Sequence, residues 1–398
     1  MFLSSNCSVD VFYCTQMLSA IFQSNWISIE IGLSGGVDSA VSAYLLKKQG
    51  YTVKGVYMRN WSIEEETGIP VCPAKDDLVD AEQIAMTLDI PLEIYDFEKE
   101  YWNDVFEVCL EAYKRGETPN PDVLCNRYIK FAAFTSRCFQ TGCDYVATGH
   151  YARINTGDPI SRFSSGTELL RGIDRTKDQS YFLSEIDGSL LPRILFPVGS
   201  LHKSQVKRIA QEAGLHVYNK KESMGICFIG ERRMKSFLQN YIDVTPGDIY
   251  SVNGELLGRH DGLAFYTIGQ GMKLSNSHVK YYICEKHVDS NTLVVCEKMD
   301  PRLFHSSFEI WEKDMAWINP QTKQRLLEYC ETHDGFPLQC QVRYQTVHSF
   351  YPCRLEKGVD SLIVKSNTLM RAITPGQICV FYDGEVCLGG GKINLVKK

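Results

Sequence analysis

The hexapeptide Ser34-Gly35-Gly36-Val37-Asp38-Ser39 has the residue types and spacing that hold a nucleotide's phosphates. Two glycines let backbone N–H groups come close to an anionic oxygen. Ser34 and Ser39 add hydroxyl donors at a helix N-terminus, where the helix dipole favours negative charge. Asp38 is placed to hold a magnesium ion. A plain strand-to-helix turn would be served by one glycine. No G-x-x-x-x-G-K-[ST] occurs, and Gly389-Gly390-Gly391-Lys392 runs on into Ile393, so the lysine that grips β- and γ-phosphates in kinases and GTPases is missing. Transfer of the γ-phosphoryl group is therefore disfavoured.

Two cysteines have chemically suggestive surroundings. In Asn120-Pro121-Asp122-Val123-Leu124-Cys125-Asn126-Arg127, Pro119 and Pro121 fix an extended loop, and Arg127 and Lys130 could lower a thiol pKa. Ser223-Met224-Gly225-Ile226-Cys227-Phe228-Ile229-Gly230 is glycine-bracketed and follows Lys220 and Lys221. Read alone, each cysteine is structural more often than catalytic. A Gly-bounded thiol near lysines in a chain with an ATP loop shifts that balance, because the thiolate is the nucleophile and positive neighbours favour it.

The elements around these residues alternate. A β-rich stretch from Trp26 to Leu33 enters the loop and helical Ala40 to Gln49 leaves it, stopping at Gly50. Tyr51 to Met58 reads as a strand, Asp76 to Leu88 as a helix, and Leu92 to Phe97 and Tyr145 to Thr148 as strands. The fold class is thus α/β, a doubly wound parallel sheet, with Ser34, Met58 and Gly149 at the carboxyl strand ends where ligands bind. From Gly247 short runs punctuated by glycine and asparagine predict a small, mostly β connector. Beyond Pro301 the pattern is strands throughout, giving a C-terminal β-barrel. Gln377 to Tyr382 and Glu385 to Leu388 form its clearest hairpin, with Asp383-Gly384 suited to a type I′ turn. The predicted domains are 1–218, 219–300 and 301–398.

With 398 residues the chain has ample length for a core, and no apolar run approaches the ~20 residues that cross a bilayer, so no membrane is expected. A formal net charge of −6 argues against a generic polyanion binder but leaves room for a local basic face. Lys203, Lys207, Arg208, Lys220, Lys221, Arg232, Arg233 and Lys235 supply one candidate, which a solvated helical face explains equally well. Fifteen cysteines at irregular spacings, with no C-x-x-C, fit a reducing compartment better than a disulfide framework. Residues 1 to 25 contain no Lys or Arg and give no usable address.

The loop resembles the pyrophosphatase loop of adenylating ATP enzymes, among them GMP synthetase, NAD synthetase, argininosuccinate synthetase and the tRNA thiolation enzymes. Asn120-Pro121-Asp122 with Cys125, Ala147-Thr148-Gly149-His150-Tyr151-Ala152-Arg153, Lys177-Asp178-Gln179-Ser180-Tyr181-Phe182-Leu183, Gly225-Ile226-Cys227-Phe228-Ile229-Gly230 and Thr374-Pro375-Gly376-Gln377 together resemble, over almost the whole chain, the tRNA-specific 2-thiouridylases. The resemblance implies that ATP adenylates the C2 oxygen of a wobble uridine and that Cys227 carries a persulfide whose sulfur displaces AMP. It makes Cys125 the second thiol, forming a disulfide with Cys227 or acting through reductive cleavage, and Asp122 a general acid or base. It assigns Gly32, Leu33, Ser34, Gly35, Gly36, Val37, Asp38, Ser39, Met58 and Gly149 to ATP. Asn120, Pro121, Asp122, Lys177, Asp178, Gln179, Arg343 and Tyr344 are assigned to tRNA, with His150 and Gln377 in support. The implied partners are a tRNA anticodon loop and a persulfide donor such as a cysteine desulfurase or relay protein; the implied cofactors are ATP and Mg2+.

The chain departs from the family pattern at Gln270-Gly271, where Gln-Arg is common, and at Arg343-Tyr344-Gln345-Thr346, where Arg-Tyr-Arg-Gln is common. That barrel motif, with Glu100-Tyr101-Trp102-Asn103-Asp104-Val105-Phe106 and Gly391-Lys392-Ile393, is similar to animal mitochondrial members and makes the mitochondrion the expected address, with the cytoplasm as the alternative. Three other readings stand beside this one: an adenylating synthetase for a small metabolite, an iron–sulfur tRNA thiolase, and an RNA-binding protein with a relic ATP loop.

Overall fold

Two central strands, β1 (Ser28–Gly32) and β2 (Thr52–Arg59), show why a parallel sheet forms here. Ile29, Ile31, Val53 and Tyr57 enter one core while Val56 and Met58 enter another, the period of two expected of a strand covered on both faces. With β3 (Leu92–Asp96), β4 (Tyr145–Ala147) and β7 (Ile194–Leu195) they make a five-stranded sheet in the order β3-β2-β1-β4-β7, parallel throughout. This is a computed structural model, and it describes residues 27–61, 73–221, 234–274, 279–344 and 350–396. Helix α1 (Val37–Lys48) begins after an extended Gly36, carries Asp38 in its first turn and Lys47 and Lys48 in its last, and ends before Gly50 at φ +88°. Among the described residues no helix is long and apolar enough to cross a membrane.

The hairpin of β5 (Ala152–Asn155) and β6 (Glu168–Arg171) leaves this sheet and joins the C-terminal one. Leu170 pairs with Val386 and Leu169 with Cys387. The connector is a separate five-stranded sheet between Gly247 and Cys296, with Ile249, Leu263, Ile283, Leu293 and Val295 as its core. The C-terminal β-barrel region differs from the expectation of strands throughout. Thr322–Thr332 is a helix that buries Leu326 and Cys330, residues one helical turn apart. The hairpin turn also shifts by one residue: Asp383 pairs with Val386, so the central residues are Gly384 and Glu385. Only Gly384 has positive φ, at +58°, which is the type II′ pattern rather than type I′.

Candidate active site

Leu33 leaves β1 with its N–H donating to the Val56 carbonyl at 2.8 Å. Ser39 then closes the loop. Its hydroxyl accepts from the Ser34 N–H at 3.2 Å, donates to the Gly36 carbonyl at 3.1 Å and lies 3.3 Å from the Ser34 hydroxyl. Gly35 has φ +73°, and a Cβ there would overlap the Asp77 carbonyl oxygen. Gly149, just past β4, packs on the start of α1: a Cβ would lie 2.7 Å from the Ser39 nitrogen and 2.8 Å from the Asp38 carbonyl carbon. Met58 brings its Cε to 3.0 Å from the position of a Cβ on Gly32. Gly32 to Ser39, Met58 and Gly149 therefore converge on one ledge at the carboxyl edge of the sheet.

Asp38 is engaged on this ledge. The Tyr151 hydroxyl donates to its Oδ1 at 2.7 Å, and Lys203 Nζ donates to Oδ1 and Oδ2 at 2.8 and 2.7 Å. Lys220 Nζ donates to the Gly35 carbonyl at 3.1 Å and to Asp77 Oδ1 at 2.7 Å. Sequence reasoning placed Lys203 in a basic segment alone, and Lys220 both there and as a positive neighbour of the Cys227 segment; neither was expected at the ATP loop. Elsewhere in that segment Arg208 pairs with Glu212 and Lys235 with Asp261 at the surface, Lys207 and Lys221 are exposed, and Arg232 and Arg233 lie outside the described residues. Among the described residues no three His, Cys, Asp or Glu side chains converge as metal ligands; Asp38 is the side chain of the ledge that would hold a magnesium ion.

The second group of residues lies on one helical segment. Asn120 caps it, its Oδ1 accepting the Val123 N–H at 3.2 Å, and Pro121 occupies the first turn. Asp122 is half-buried and Cys125 fully buried. From Cys125 to Phe134 the helix widens to π geometry, interrupted at Phe131, a feature that concentrates at functional sites. Phe134, at its far end, lies 3.7 Å from the Cβ position of Gly32, so this helix abuts the nucleotide ledge.

Arg127 NH1, on the same helix, lies 3.0 Å from Glu185 Oε2, and Lys130 Nζ lies 3.4 Å from His150 Nε2. Burial pushes the Glu185 carboxyl up to about 6, against the opposing pull of Arg127. Burial, aided by the Lys130 charge, holds the His150 imidazole well below 6.5, and its Nδ1 lies 2.7 Å from the Thr148 hydroxyl. These two groups affect stability in opposite directions. For His150 the unfolded chain takes the proton first, so its contribution is complete above pH 6.5 and is lost below it at up to roughly 1.4 kcal/mol per pH unit. For Glu185 the folded state holds the proton longer, so its contribution is present below 4.5 and lost as pH rises through about 6. The loss of unfolding free energy from pH 7 to 5.5, measured in urea, is expected to be smaller in His150→Gln and larger in Glu185→Gln than in the parent.

The loop before Asn120 is gripped from the barrel. Gln377 Nε2 donates to the Thr118 carbonyl at 2.8 Å, the Thr118 N–H donates to the Pro375 carbonyl at 3.0 Å, and a Cβ on Gly376 (φ +91°) would lie 2.7 Å from the Thr118 nitrogen. The Thr118 hydroxyl also lies 3.4 Å from that of Thr267 in the connector. Gln377→Ala should therefore lower turnover roughly tenfold with little change in KM for ATP, because it frees a positioning loop and leaves the nucleotide ledge intact. Steady-state kinetics would check this.

The residues expected at tRNA divide. Asp178 is buried, its carboxylate accepting from Arg171 Nε at 2.7 Å, Gly172 N–H at 3.0 Å and Ser180 N–H at 3.1 Å, so it pins a turn instead of facing solvent. Arg343 turns inward and donates through NH2 to the Ala372 carbonyl, to the Thr374 hydroxyl at 2.6 Å and to the Ile268 carbonyl at 3.3 Å. Gln179 Oε1 accepts from the Tyr151 N–H at 2.9 Å, which ties it to the Asp38 side of the ledge. Lys177 is half-buried. Tyr344 is exposed and packs its ring 4.4 Å from that of Phe182.

Cys227, with Ser223 to Gly230, lies outside the described residues, as do Gln345 and Thr346. The chain on either side is anchored near the site. Lys220 stands on the ATP loop, and Phe237 packs 6.0 Å from Trp61 and 5.5 Å from Phe106, centroid to centroid.

Comparison with known proteins reaches all three parts of the fold. A family model described as a tRNA methyl transferase HUP domain matches residues 27–231, one described as a tRNA methyl transferase PRC-barrel domain matches 235–297, and an aminomethyltransferase beta-barrel domain matches 308–393. The chain is 44% identical over 374 residues to the tRNA-specific 2-thiouridylase MnmA of Pseudomonas savastanoi pv. phaseolicola, covering 92% of this chain and 94% of the other. Identity is 42% over 375 residues to that of Listeria monocytogenes serotype 4b, with 94% and 96% covered. It is 45% over 370 residues to that of Stutzerimonas stutzeri, with 91% and 93% covered.

Proposed function

The chain belongs to the tRNA-specific 2-thiouridylase family, and from that premise we propose that it builds 2-thiouridine at the wobble position of tRNA by the steps below. It is an ATP-dependent tRNA sulfurtransferase. The observation that supports the detailed scheme is the Thr148-Gly149-His150 segment: Gly149 packs on the ATP loop while His150 meets Lys130, on the helical segment that also carries Cys125.

A uracil C2 carbonyl is amide-like and a poor electrophile. Transfer of AMP to its oxygen, with loss of pyrophosphate, supplies a leaving group. Asp122 manages the proton at the base. The Cys125 thiolate then attacks the inner sulfur of the Cys227 persulfide, forming the Cys125–Cys227 disulfide and releasing the outer sulfur as hydrosulfide. Hydrosulfide adds to C2, AMP departs with the former C2 oxygen, and an external thiol reduces the disulfide. Cys125 is fully buried, so this step requires its sulfur to be uncovered when tRNA engages. An anticodon-loop base is cheaper to flip than one in a duplex, and the exposed Tyr344 ring beside Phe182 offers a stacking surface for RNA. Asp38 is the residue that would hold a magnesium ion, which would supply charge to offset that of the phosphates.

The test is reconstitution with tRNA, ATP and a persulfide donor. Release of AMP and pyrophosphate should require tRNA, and mass spectrometry should find 2-thiouridine with the C5 substituent unchanged. Nucleotide turnover that ignores tRNA would favour a metabolite synthetase, and visible absorbance of anaerobically purified protein would favour an iron–sulfur thiolase. A mitochondrial address is part of the proposal, supported by the animal-type motifs, and is checked by fractionation.

A further inference from the structure

We propose that Lys203 is the cation that receives the β- and γ-phosphates of ATP and then holds the departing pyrophosphate. The inference rests on the ATP reading above. The loop itself has no lysine, yet a triphosphate seated on backbone N–H groups and two hydroxyls needs a compact positive charge opposite them. Lys203 supplies one from a distant part of the sequence. It opens the helix Lys203–Glu212, and its own N–H donates to Asp174 Oδ2 at 2.9 Å, which fixes the backbone while leaving the four-carbon stem to move. Its Nζ spans both oxygens of Asp38 in the first turn of α1.

The surroundings fit an exchange better than a permanent pair. The Lys203 side chain is 12% exposed and that of Asp38 30%, so the pair lies at the edge of the ledge and is not sealed in the core. The Tyr151 hydroxyl stays on Asp38 when the lysine leaves, so the carboxylate keeps a donor, and a nucleotide-borne magnesium ion can replace the lost charge. Lys220 does not fit this task. Two carboxylates, Asp77 and Asp80, and the Gly35 carbonyl hold it behind the loop.

The experiment is calorimetric titration of the full chain with inorganic pyrophosphate and, separately, with AMP. Lys203→Met should lose roughly tenfold or more in affinity for pyrophosphate while AMP affinity stays within about threefold, the size expected for one charge-assisted contact. The double variant Asp38→Asn/Lys203→Met removes the stranded carboxylate and should remain as weak. Wild-type pyrophosphate affinity in Lys203→Met, or its return in the double variant, would overturn the proposal, since the lysine would then only neutralise Asp38. A second measurement needs no variant: pyrophosphate, and not AMP, should shield Lys203 from acylation in the wild-type protein, as read by peptide mass spectrometry. Equal labelling with and without pyrophosphate would likewise refute it. Wild-type protein that binds neither ligand would sink the ATP reading itself.

Discussion

Cys227→Ser is expected to reduce 2-thiouridine formation by about a thousandfold or more while tRNA-dependent release of pyrophosphate remains measurable, because a hydroxyl cannot carry a persulfide but adenylation does not need one. Cys125→Ser should fall nearly as far, for a different reason: the sulfur is loaded but nothing releases it. Added sulfide separates the two roles from the adenylation chemistry. If both thiols serve only to deliver hydrosulfide, sodium sulfide should restore product in either variant. Retention of a tenth of the parent activity by either serine variant, without added sulfide, would remove that cysteine from the mechanism. The outcome matters because Cys125 opens the helical segment whose far end, at Phe134, reaches the nucleotide ledge, whereas Cys227 lies outside the described residues.

Gly149→Ala should nearly abolish use of ATP. The added methyl would meet the backbone of Ser39 and Asp38, atoms that cannot swing aside as a side chain could, so either β4 or the start of α1 must shift. A shift of the helix start misaims the N–H groups that face the phosphates, and a misplacement of 1 Å can cost about a hundredfold in rate. Overpacking should also lower stability by about 1–3 kcal/mol. Gly142→Asn is the matched control: that glycine has φ +88° and nothing within 4 Å of its Cβ position, and asparagine tolerates the left-handed region. A rise of KM for ATP in the first variant and none in the second, with thermal melts on both, would establish that the close approach at Gly149 is what matters.

Much of this architecture was legible because it repeats along the chain. The alternation of strands and helices from Trp26 to Phe97, the paired glycines after Leu33 and the strand end at Gly149 together announce a parallel sheet with a phosphate ledge. The helix Thr322–Thr332 was hidden by its surroundings, since its apolar residues are few and its neighbours are all strands. The role of Asp178 was hidden for another reason. A motif says that a residue matters, not which way it points, and here Arg171 and two backbone N–H groups hold the carboxylate inside. Arg343 shows the same limit: its guanidinium meets carbonyls brought together from Ile268 and Ala372, far apart in the chain. Lys203 showed only as one member of a basic segment, because its partner, Asp38, lies 165 positions away.

The excursion of residues 152–171 into the C-terminal sheet bears on how this protein can be cut and recombined. Chimeras that exchange barrels between relatives would have to carry this internal hairpin along with the tail, or the recipient would be left with a foreign strand at the seam. A fragment stopping near residue 218 would likewise expose β6 as an unpaired edge, inviting self-association through that strand. The tail is therefore not a detachable accessory, and inheritance of the two ends of the gene is bound together by a stretch in its middle.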